Sequence, residues 1–239
     1  MIRLIRPGVS FAILVWAWAM PAAAQTGFPF TNETLHYTVK WPTGLSLGEA
    51  HMSAAHNKGP NGKGDEWEFQ MSLDAAVPGF AVSDHYRSTA SSDLCSVQFE
   101  KDFTHGSRKS GERIDFDPHA GVARRETVGG GKSDVSISHC PHDALTFLYF
   151  TRREMGQGRM PPQEDIVFGA AYQMRLQYTG EQEVRLNNKN VVSDRVIITL
   201  KGPASENTFE MFLARDAART PLVIRVPLSL GMFSMELTR

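Results

Sequence analysis

The sequence predicts a mainly β protein, built as a single curved antiparallel sheet or a partly open β-barrel around one buried helix. Three observations support this fold class. Apolar and polar residues alternate with a period of two along much of the chain, and short turn sequences separate the alternating stretches. Only residues 143–154 have the features of a helix. Many short strands and few helices favour an antiparallel sheet that curls or closes on itself.

The start of the chain has the pattern of a secretory signal peptide, which we place at residues 1–24. Arg3 and Arg6 precede an apolar run, and the alanines that end at Ala24 supply the small residues of a cleavage site. The run is too short to span a bilayer comfortably. We therefore expect cleavage after Ala24 and a single domain, residues 25–239, in the periplasm rather than an integral membrane protein.

The charge of the chain argues against a general nucleic-acid binder. Without Arg3 and Arg6, the 25 basic residues become 23 against 26 acidic residues, which gives a formal charge of −3. Proteins that bind nucleic acid through its phosphates normally carry a strong basic excess. We therefore expect no nucleic-acid partner.

The predicted strands place large apolar side chains at every second position, most clearly in residues 33–41, 66–73 and 172–178. Such side chains can fill the interior of a curved sheet or line a cavity, and close packing is the more common outcome. Further strands are predicted at residues 80–88, 94–103, 113–116, 122–127, 191–201, 208–213, 222–226 and 231–237. Turn sequences lie at residues 57–64, 117–121, 129–134 and 187–190.

The predicted helix begins after Asp143, whose side chain can accept hydrogen bonds from the free amides of the first turn. The residues from Ala144 to Phe150 are apolar nearly all round. Arg152 and Arg153 suit the negative end of the helix dipole. Because so apolar a helix has to be covered, we expect it to form the plug or lid of the sheet.

The two cysteines, Cys95 and Cys140, are expected to form a disulfide in an exported protein. The bond would close a loop of about 45 residues, for which chain entropy gives a stabilisation on the order of 4 kcal/mol. Two alternatives use Cys140 differently. It could be a nucleophilic thiolate with His139 and His142 as bases, or it could join these histidines and Cys95 in a zinc site. The compartment and the lack of a recognised zinc-ligand spacing favour the disulfide.

Two short motifs resemble enzyme signatures. Residues 44–48, GLSLG, match the pattern in which Ser46 would be a hydrolase nucleophile, but that pattern needs a strand, a following helix and a parallel sheet. Residues 49–56 could form a helix locally, yet the rest of the chain supplies almost none. A turn between two strands is the simpler interpretation. GGGKS at residues 129–133 is likewise better explained as a hairpin tip than as a phosphate-binding loop.

Basic residues collect between residues 101 and 132. They could meet anionic lipid headgroups or cell-wall polymers, or they could form a solvated sheet edge that discourages strand pairing. These residues are Lys101, His105, Arg108, Lys109, Arg113, Arg124, Arg125 and Lys132.

Four stretches resemble a known family. They are ETLHYTVKWPTGLSLGEA at residues 33–50, RIDFDPHAGV at 113–122, HDALTFLYFTRR at 142–153 and ARTPLVIRV at 218–226. The last stretch follows Asp216 closely, which gives an Asp-x-x-Arg-x-Pro motif with Arg219 and Pro221. On these residues the chain is similar to the secreted bacterial proteins grouped as domain of unknown function 3108. The resemblance implies an envelope protein with a barrel-like antiparallel sheet around a helix, similar in outline to carriers that ferry lipoproteins across the periplasm. It implies no catalytic residues.

These observations together predict a non-enzymatic binding protein that helps to maintain the cell envelope. The surplus of large apolar side chains favours a groove or cavity for an acyl chain, another lipid-like ligand or a lipidated partner protein. The alternatives are an envelope interaction module with a packed core, or an enzyme that uses Ser46 or Cys140. We expect no cofactor and no metal. The predicted ligand-binding residues are Tyr37, Trp41, Trp67, Phe69, Leu145, Phe147, Leu148 and Tyr172.

Overall fold

The computed structural model describes residues 28–58, 64–77, 79–228 and 231–238. The predicted signal peptide, residues 1–24, lies outside the described residues, as does most of the predicted turn at residues 57–64. Among the residues that are described, no helix is both long enough and apolar enough to cross a lipid bilayer.

The described part of the chain forms fifteen strands and one helix. In chain order they are β1 (Glu33–Lys40), β2 (Ser46–Lys58), β3 (Asp65–Val77), β4 (Phe80–Ser91), β5 (Ser96–His105), β6 (Arg108–Asp117), β7 (Val122–Thr127), β8 (Lys132–Ser136), β9 (His142–Asp143), α1 (Ala144–Gly156), β10 (Glu164–Val167), β11 (Ala171–Leu186), β12 (Lys189–Lys201), β13 (Glu206–Ala214), β14 (Pro221–Leu228) and β15 (Gly231–Leu237).

All strands belong to one sheet, in the order β8-β7-β6-β5-β4-β3-β2-β1-β15-β14-β13-β12-β11-β10-β9. Neighbouring strands are antiparallel except for the short parallel pair of β9 and β10. The strands β1 and β15, which are the first and last in chain order, pair with each other. The strands β8 and β9 form the two edges of the sheet. The sheet is therefore curved but not closed, which confirms the predicted fold class.

Most predicted strands are present, and the differences are local. Residues 49–56, which could form a helix in isolation, lie in β2, where they pair with β1 and β3. Residues 132–134 of a predicted turn begin β8, and the predicted strand at 172–178 continues to Leu186. In each case pairing with neighbouring strands outweighs weak local propensity.

The helix forms at the predicted place, and Asp143 caps it. One carboxylate oxygen of Asp143 accepts hydrogen bonds from the backbone amides of Leu145 and Thr146 at 2.8 and 3.0 Å. The hydroxyl groups of Ser88 on β4 and Ser96 on β5 also donate to this fully buried carboxylate. The cap therefore fastens the start of α1 to the sheet.

The helix lies inside the curve of the sheet and contacts β3, β4 and β10. Leu145 and Tyr149 pack against the aromatic side chains of β1 to β5, whereas Phe147 and Met155 pack against β10 to β13. Both halves of the sheet therefore bury their apolar faces on the same helix, as expected for the predicted plug.

The side chain of Arg152 does not lie where the sequence predicts. Its side chain is fully buried and forms two hydrogen bonds with the Glu33 carboxylate, each 2.7 Å long, instead of lying at the solvent-exposed end of the helix dipole. Burial would lower the pKa of Arg152, but the hydrogen bonds and charge of Glu33 raise it overall. The guanidinium therefore stays charged and ties the helix to the start of β1.

Candidate functional site

An apolar cavity of about 410 Å³ lies at one end of the sheet, which we call the cavity end. The ends of β1, β3, β5 and β14 and the beginnings of β2, β4, β6 and β15 are all at this end. The apolar lining residues are Val39, Trp41, Leu47, Leu73, Ala75, Ala76, Val77, Phe80, Val82, Ile224, Val226, Phe233 and Met235, and the polar ones are Asp84, His105 and Ser234.

Small side chains in the middle of one cross-strand row leave this space open. The row runs through directly paired residues of eight strands, and its central members are Gly48 and Ala75. Gly48 has to be glycine because a Cβ atom there would lie 1.9 Å from the carbonyl oxygen of Asp74. The complete row is Ile224, Met235, Val39, Gly48, Ala75, Val82, His105 and Arg108.

Farther from the cavity end, aromatic side chains and the helix fill the interior. The ring of Tyr149 on α1 stacks on that of Phe69, with 4.0 Å between their centroids, and Phe30 packs against both Trp67 and Tyr149. No residue of α1 lines the cavity. The prediction that the helix forms a wall of the binding site therefore does not apply to this cavity.

A polar pair interrupts the apolar wall. His105 Nε2 lies 2.8 Å from Asp84 Oδ1, and the hydroxyl of Tyr86 donates to the other carboxylate oxygen at 3.3 Å. Burial, together with the negative charge of Asp84, raises the pKa of Tyr86 above its ordinary value. Tyr86 therefore stays protonated and remains a hydrogen-bond donor to Asp84, and Asp84 and His105 are the groups of this network that face the cavity.

Only Trp41 of the eight predicted ligand-binding residues lines the cavity, where its ring contacts that of Phe233 at 4.8 Å between centroids. Five of the others are buried within the packed core, and Leu148 and Tyr172 are half-buried against it. The five are Tyr37, Trp67, Phe69, Leu145 and Phe147.

Several lining residues were not among the predicted site residues. Phe80, Val82 and Met235 lie in strands that the sequence does predict, and these strands show the expected alternation of apolar and polar residues. The signal that could have identified them is the small size of Gly48 and Ala75, which becomes informative only once strand register is known.

Cys95 and Cys140 form the predicted disulfide, and neither is a free thiol. His142 is buried and pairs with Glu164 on β10, whereas His139 is exposed. No three His, Cys, Asp or Glu residues in the described ranges are placed to hold a metal ion. The thiolate alternative therefore lacks a free thiol, and the zinc alternative lacks its cysteine ligands.

Ser46 lies at the exposed start of β2, after a tight turn in which the Trp41 amide donates to the Leu45 carbonyl at 2.8 Å. The strand that follows Ser46 is antiparallel to β1, and no helix follows the motif directly. The hydrolase pattern thus lacks the strand–turn–helix geometry on which its chemistry depends. Residues 129–131 form the predicted hairpin tip between β7 and β8.

Most of the predicted basic cluster is paired with acids. Inside the sheet, Lys101 and Arg125 contact Glu112 at 2.9 and 2.6 Å, so these two are not part of a solvated edge. Arg108 and Lys109 are exposed, and the described part of the chain offers neither of them an acidic partner. The remaining pairs are His105 with Asp84, Arg113 with Asp115, Arg124 with Asp117 and Lys132 with Glu126.

A second, polar cleft of about 570 Å³ lies on the face of β1 to β5 that points away from the core. Its centre is a cross-strand row that includes His36, His51, His85 and Asp102, in which the Nδ1 atoms of His36 and His51 are 2.8 Å apart. The lining mixes histidines and uncharged polar side chains with Arg87, Glu100 and Asp102, as is common on a solvated sheet face. The apolar cavity is therefore the more distinctive candidate site.

The Asp-x-x-Arg-x-Pro motif has a structural role. Asp216 accepts hydrogen bonds from the amide and hydroxyl of Thr220, and Arg219, with a φ of 49°, pairs with Asp194. The carbonyl of Pro221 then accepts a hydrogen bond of 2.9 Å from the buried Tyr37 hydroxyl. The motif thus builds the turn that joins β13 to β14 and fastens it to β1.

The fold and the cavity define a barrel-like β protein that encloses apolar space at one end. The chain belongs to the family described as "Protein of unknown function (DUF3108)", whose model matches residues 36–238, and this confirms the resemblance found in the sequence. A crystal structure of a β-barrel-like protein of domain of unknown function DUF1849 from Brucella abortus is similar, with a TM-score of 0.58 and 7% identity. The match covers 89% of this chain and 98% of the other.

The likeness to the Brucella abortus protein concerns the fold alone, because the identity is so low. No curated protein matches the chain significantly. The family and the structural neighbour are both described as being of unknown function, and neither indicates an enzyme family.

Proposed function

We propose that this protein is a non-enzymatic binding protein that holds the apolar part of a lipid-like ligand in the cavity at the cavity end. The observation that carries the proposal is the cavity itself, whose volume of about 410 Å³ lies within the range of roughly 300–1,000 Å³ typical of small-molecule sites. Its lining is almost entirely apolar. Water in such a space finds few hydrogen-bond partners, so an apolar ligand that displaces it gains free energy.

The polar pair in the wall sets how a ligand would lie. Asp84 and His105 are the charged or titratable groups that face the cavity, and they lie on β4 and β5 near its mouth. A ligand with an apolar chain and one polar end would place its chain against Leu73 and Met235 and its polar end near Asp84. An acyl chain with a hydrogen-bonding headgroup has this chemistry.

The proposed setting is the periplasm and the maintenance of the cell envelope. The predicted signal peptide and the Cys95–Cys140 disulfide support it, because such bonds persist in oxidising compartments. A lipidated partner protein is a second source of the same ligand, since its acyl chain has the same chemistry. The alternative of an interaction module with a packed core predicts no ligand in this cavity.

The test is a titration of the purified protein with a fluorescent fatty-acid analogue. We expect saturable binding, and we expect Ala75→Trp to weaken it at least about tenfold, because the indole would occupy the cavity. The matched control is Val192→Trp, which adds the same side chain to an exposed position on β12. Circular dichroism and the melting temperature establish that both variants are folded.

Two outcomes contradict the proposal. One is the absence of saturable binding to the unmodified protein, which favours the interaction module. The other is equal affinity in Ala75→Trp and Val192→Trp, which would place the ligand elsewhere. Mass spectrometry of an organic extract of the purified protein then identifies the class of any lipid that is carried through purification.

A further inference from the structure

The rim of the cavity exposes large apolar side chains to solvent. Leu45, Phe80 and Met232 have exposed fractions of 66%, 46% and 41%, and Val226 adds a fourth such side chain. They come from the ends of strands or the turns of three different hairpins. Phe80 and Val226 line the cavity, whereas Leu45 and Met232 lie beside its lining residues Trp41 and Phe233. A group of exposed apolar residues around an opening marks a surface that contacts something apolar.

The rim also carries an unbalanced positive charge. Arg108 and Lys109 begin β6 at the cavity end, and Arg108 stands directly opposite the cavity-lining His105. Among the described residues neither cation has an acidic partner, whereas the other members of the basic cluster do. The described turn residues at this end and the strand residues next to them, 41–46, 79–83, 105–109 and 231–233, include no Asp or Glu, and Asp84, which follows on β4, is paired with His105.

The β5–β6 turn packs against the start of β4, so this part of the rim is one surface. The amide of Gly106 donates to the carbonyl of Ala81 at 2.7 Å, which joins the β5–β6 turn to the start of β4. A Cβ atom at Gly106 would lie 3.0 Å from the Phe80 ring, so the ring rests against this turn. Phe80 therefore lies against the turn that leads into Arg108, whose guanidinium is 5.7 Å from the centroid of the Phe103 ring.

From this combination we propose that the rim docks on an anionic phospholipid bilayer. Apolar side chains that enter the interface and cations that meet lipid phosphates are the two contributions that hold peripheral proteins at such surfaces. Docking in this orientation places the mouth of the cavity against the bilayer, where an acyl chain can pass between the two without crossing water. The proposal rests on the proposed function, because it names the surface from which the cavity would load or unload its ligand.

The experiment is flotation of the full protein with vesicles of phosphatidylethanolamine that contain phosphatidylglycerol, compared with vesicles of phosphatidylcholine. We expect binding to the anionic vesicles that weakens as salt is raised. Arg108→Glu/Lys109→Glu should reduce it by about 30-fold or more, the effect of two basic residues near an anionic surface. The matched control, Arg185→Glu/Lys189→Glu, makes the same charge change at exposed positions in the β11–β12 hairpin, at the opposite end of the sheet.

A second pair of variants tests the apolar contribution. Leu45→Ser/Met232→Ser should lose vesicle binding, whereas Val192→Ser should keep it. None of these residues lines the cavity, so all the variants should bind the soluble fatty-acid analogue as the unmodified protein does. This second measurement separates a failure of the docking proposal from a failure of the proposed ligand site.

Three results overturn the proposal. The first is equal binding to anionic and neutral vesicles, and the second is equal loss in the rim and control charge variants. The third is self-association of the protein, measured by sedimentation velocity, that Leu45→Ser/Met232→Ser abolishes while vesicle binding is absent. In that case the rim is a contact between two copies of the chain.

Discussion

The buried pair of Arg152 and Glu33 gives a prediction whose size can be worked out from the structure. The Arg152 side chain is fully buried and only 12% of the Glu33 side chain is exposed. Besides its two hydrogen bonds to Glu33, Arg152 donates from Nε to the carbonyl of Ala218 at 3.0 Å, and its guanidinium lies 5.0 and 4.9 Å from the ring centroids of Phe30 and Tyr149. One side chain thus joins the helix to two other segments.

Replacing Arg152 with Met leaves the Glu33 carboxylate without its partner in a largely buried site. We expect the free energy of unfolding to fall by about 3–5 kcal/mol. In Glu33→Leu/Arg152→Met no charge is left unpaired, and the main remaining loss is the hydrogen bond to Ala218, about 1–3 kcal/mol. The double variant should therefore be more stable than Arg152→Met by about 2 kcal/mol.

Urea unfolding followed by tryptophan fluorescence measures these differences, provided that the slope of the transition is unchanged. Arg159→Met is the matched control, because Arg159 pairs with Glu154 at an exposed position where the solvent screens the interaction. It should leave the stability nearly unchanged. A loss below about 1 kcal/mol in Arg152→Met, as at a surface pair, would refute the reasoning. So would a double variant that is no more stable than the single one.

Two further predictions concern the sheet. Cys95→Ser/Cys140→Ser should lower the free energy of unfolding by about 4 kcal/mol, because it releases a 45-residue loop, and reduction of the unmodified protein should reproduce the loss in urea unfolding. Gly48→Ala should cost about 1–3 kcal/mol or more, because its Cβ would overlap the Asp74 carbonyl, whereas Gly129→Ala, which meets nothing within 4 Å, should be nearly neutral in melting temperature.

The elements that the sequence predicts best are those whose signal is local. The alternation of Leu35, Tyr37 and Val39 is enough to define β1, and all three side chains are buried as the pattern requires. Asp143 defines the start of the helix for the same reason, since a cap needs only the amides of the next turn. In β2 the inward positions include Ala50 and Ala54, whose small side chains give little apolar contrast, so the strand is recognisable only from its partners.

The location of the cavity could not be predicted, because it depends on contacts between distant parts of the chain. Trp41 and Trp67 look alike in sequence, as aromatic residues at inward positions of predicted strands. Trp67 is buried against Phe30, and the stacked pair of Phe69 and Tyr149 lies beside it, whereas Trp41 lies in the part of the sheet that α1 does not reach. The two tryptophans differ in environment because of where α1 packs on the sheet, and α1 begins more than 75 residues later in the chain.

The size of the cavity bears on the proposed ligand. If a closed apolar cavity of this size were empty, the cost at about 24 cal/mol per Å³ would be on the order of 10 kcal/mol, comparable to the whole stability of a typical domain. The protein avoids most of this cost by leaving the cavity open at the rim, where solvent can enter. Solvent there still contacts apolar side chains on nearly every side, so the unfilled state remains unfavourable relative to one in which an apolar chain takes its place. A ligand of the proposed kind, which would bind the folded state alone, would therefore stabilise the fold.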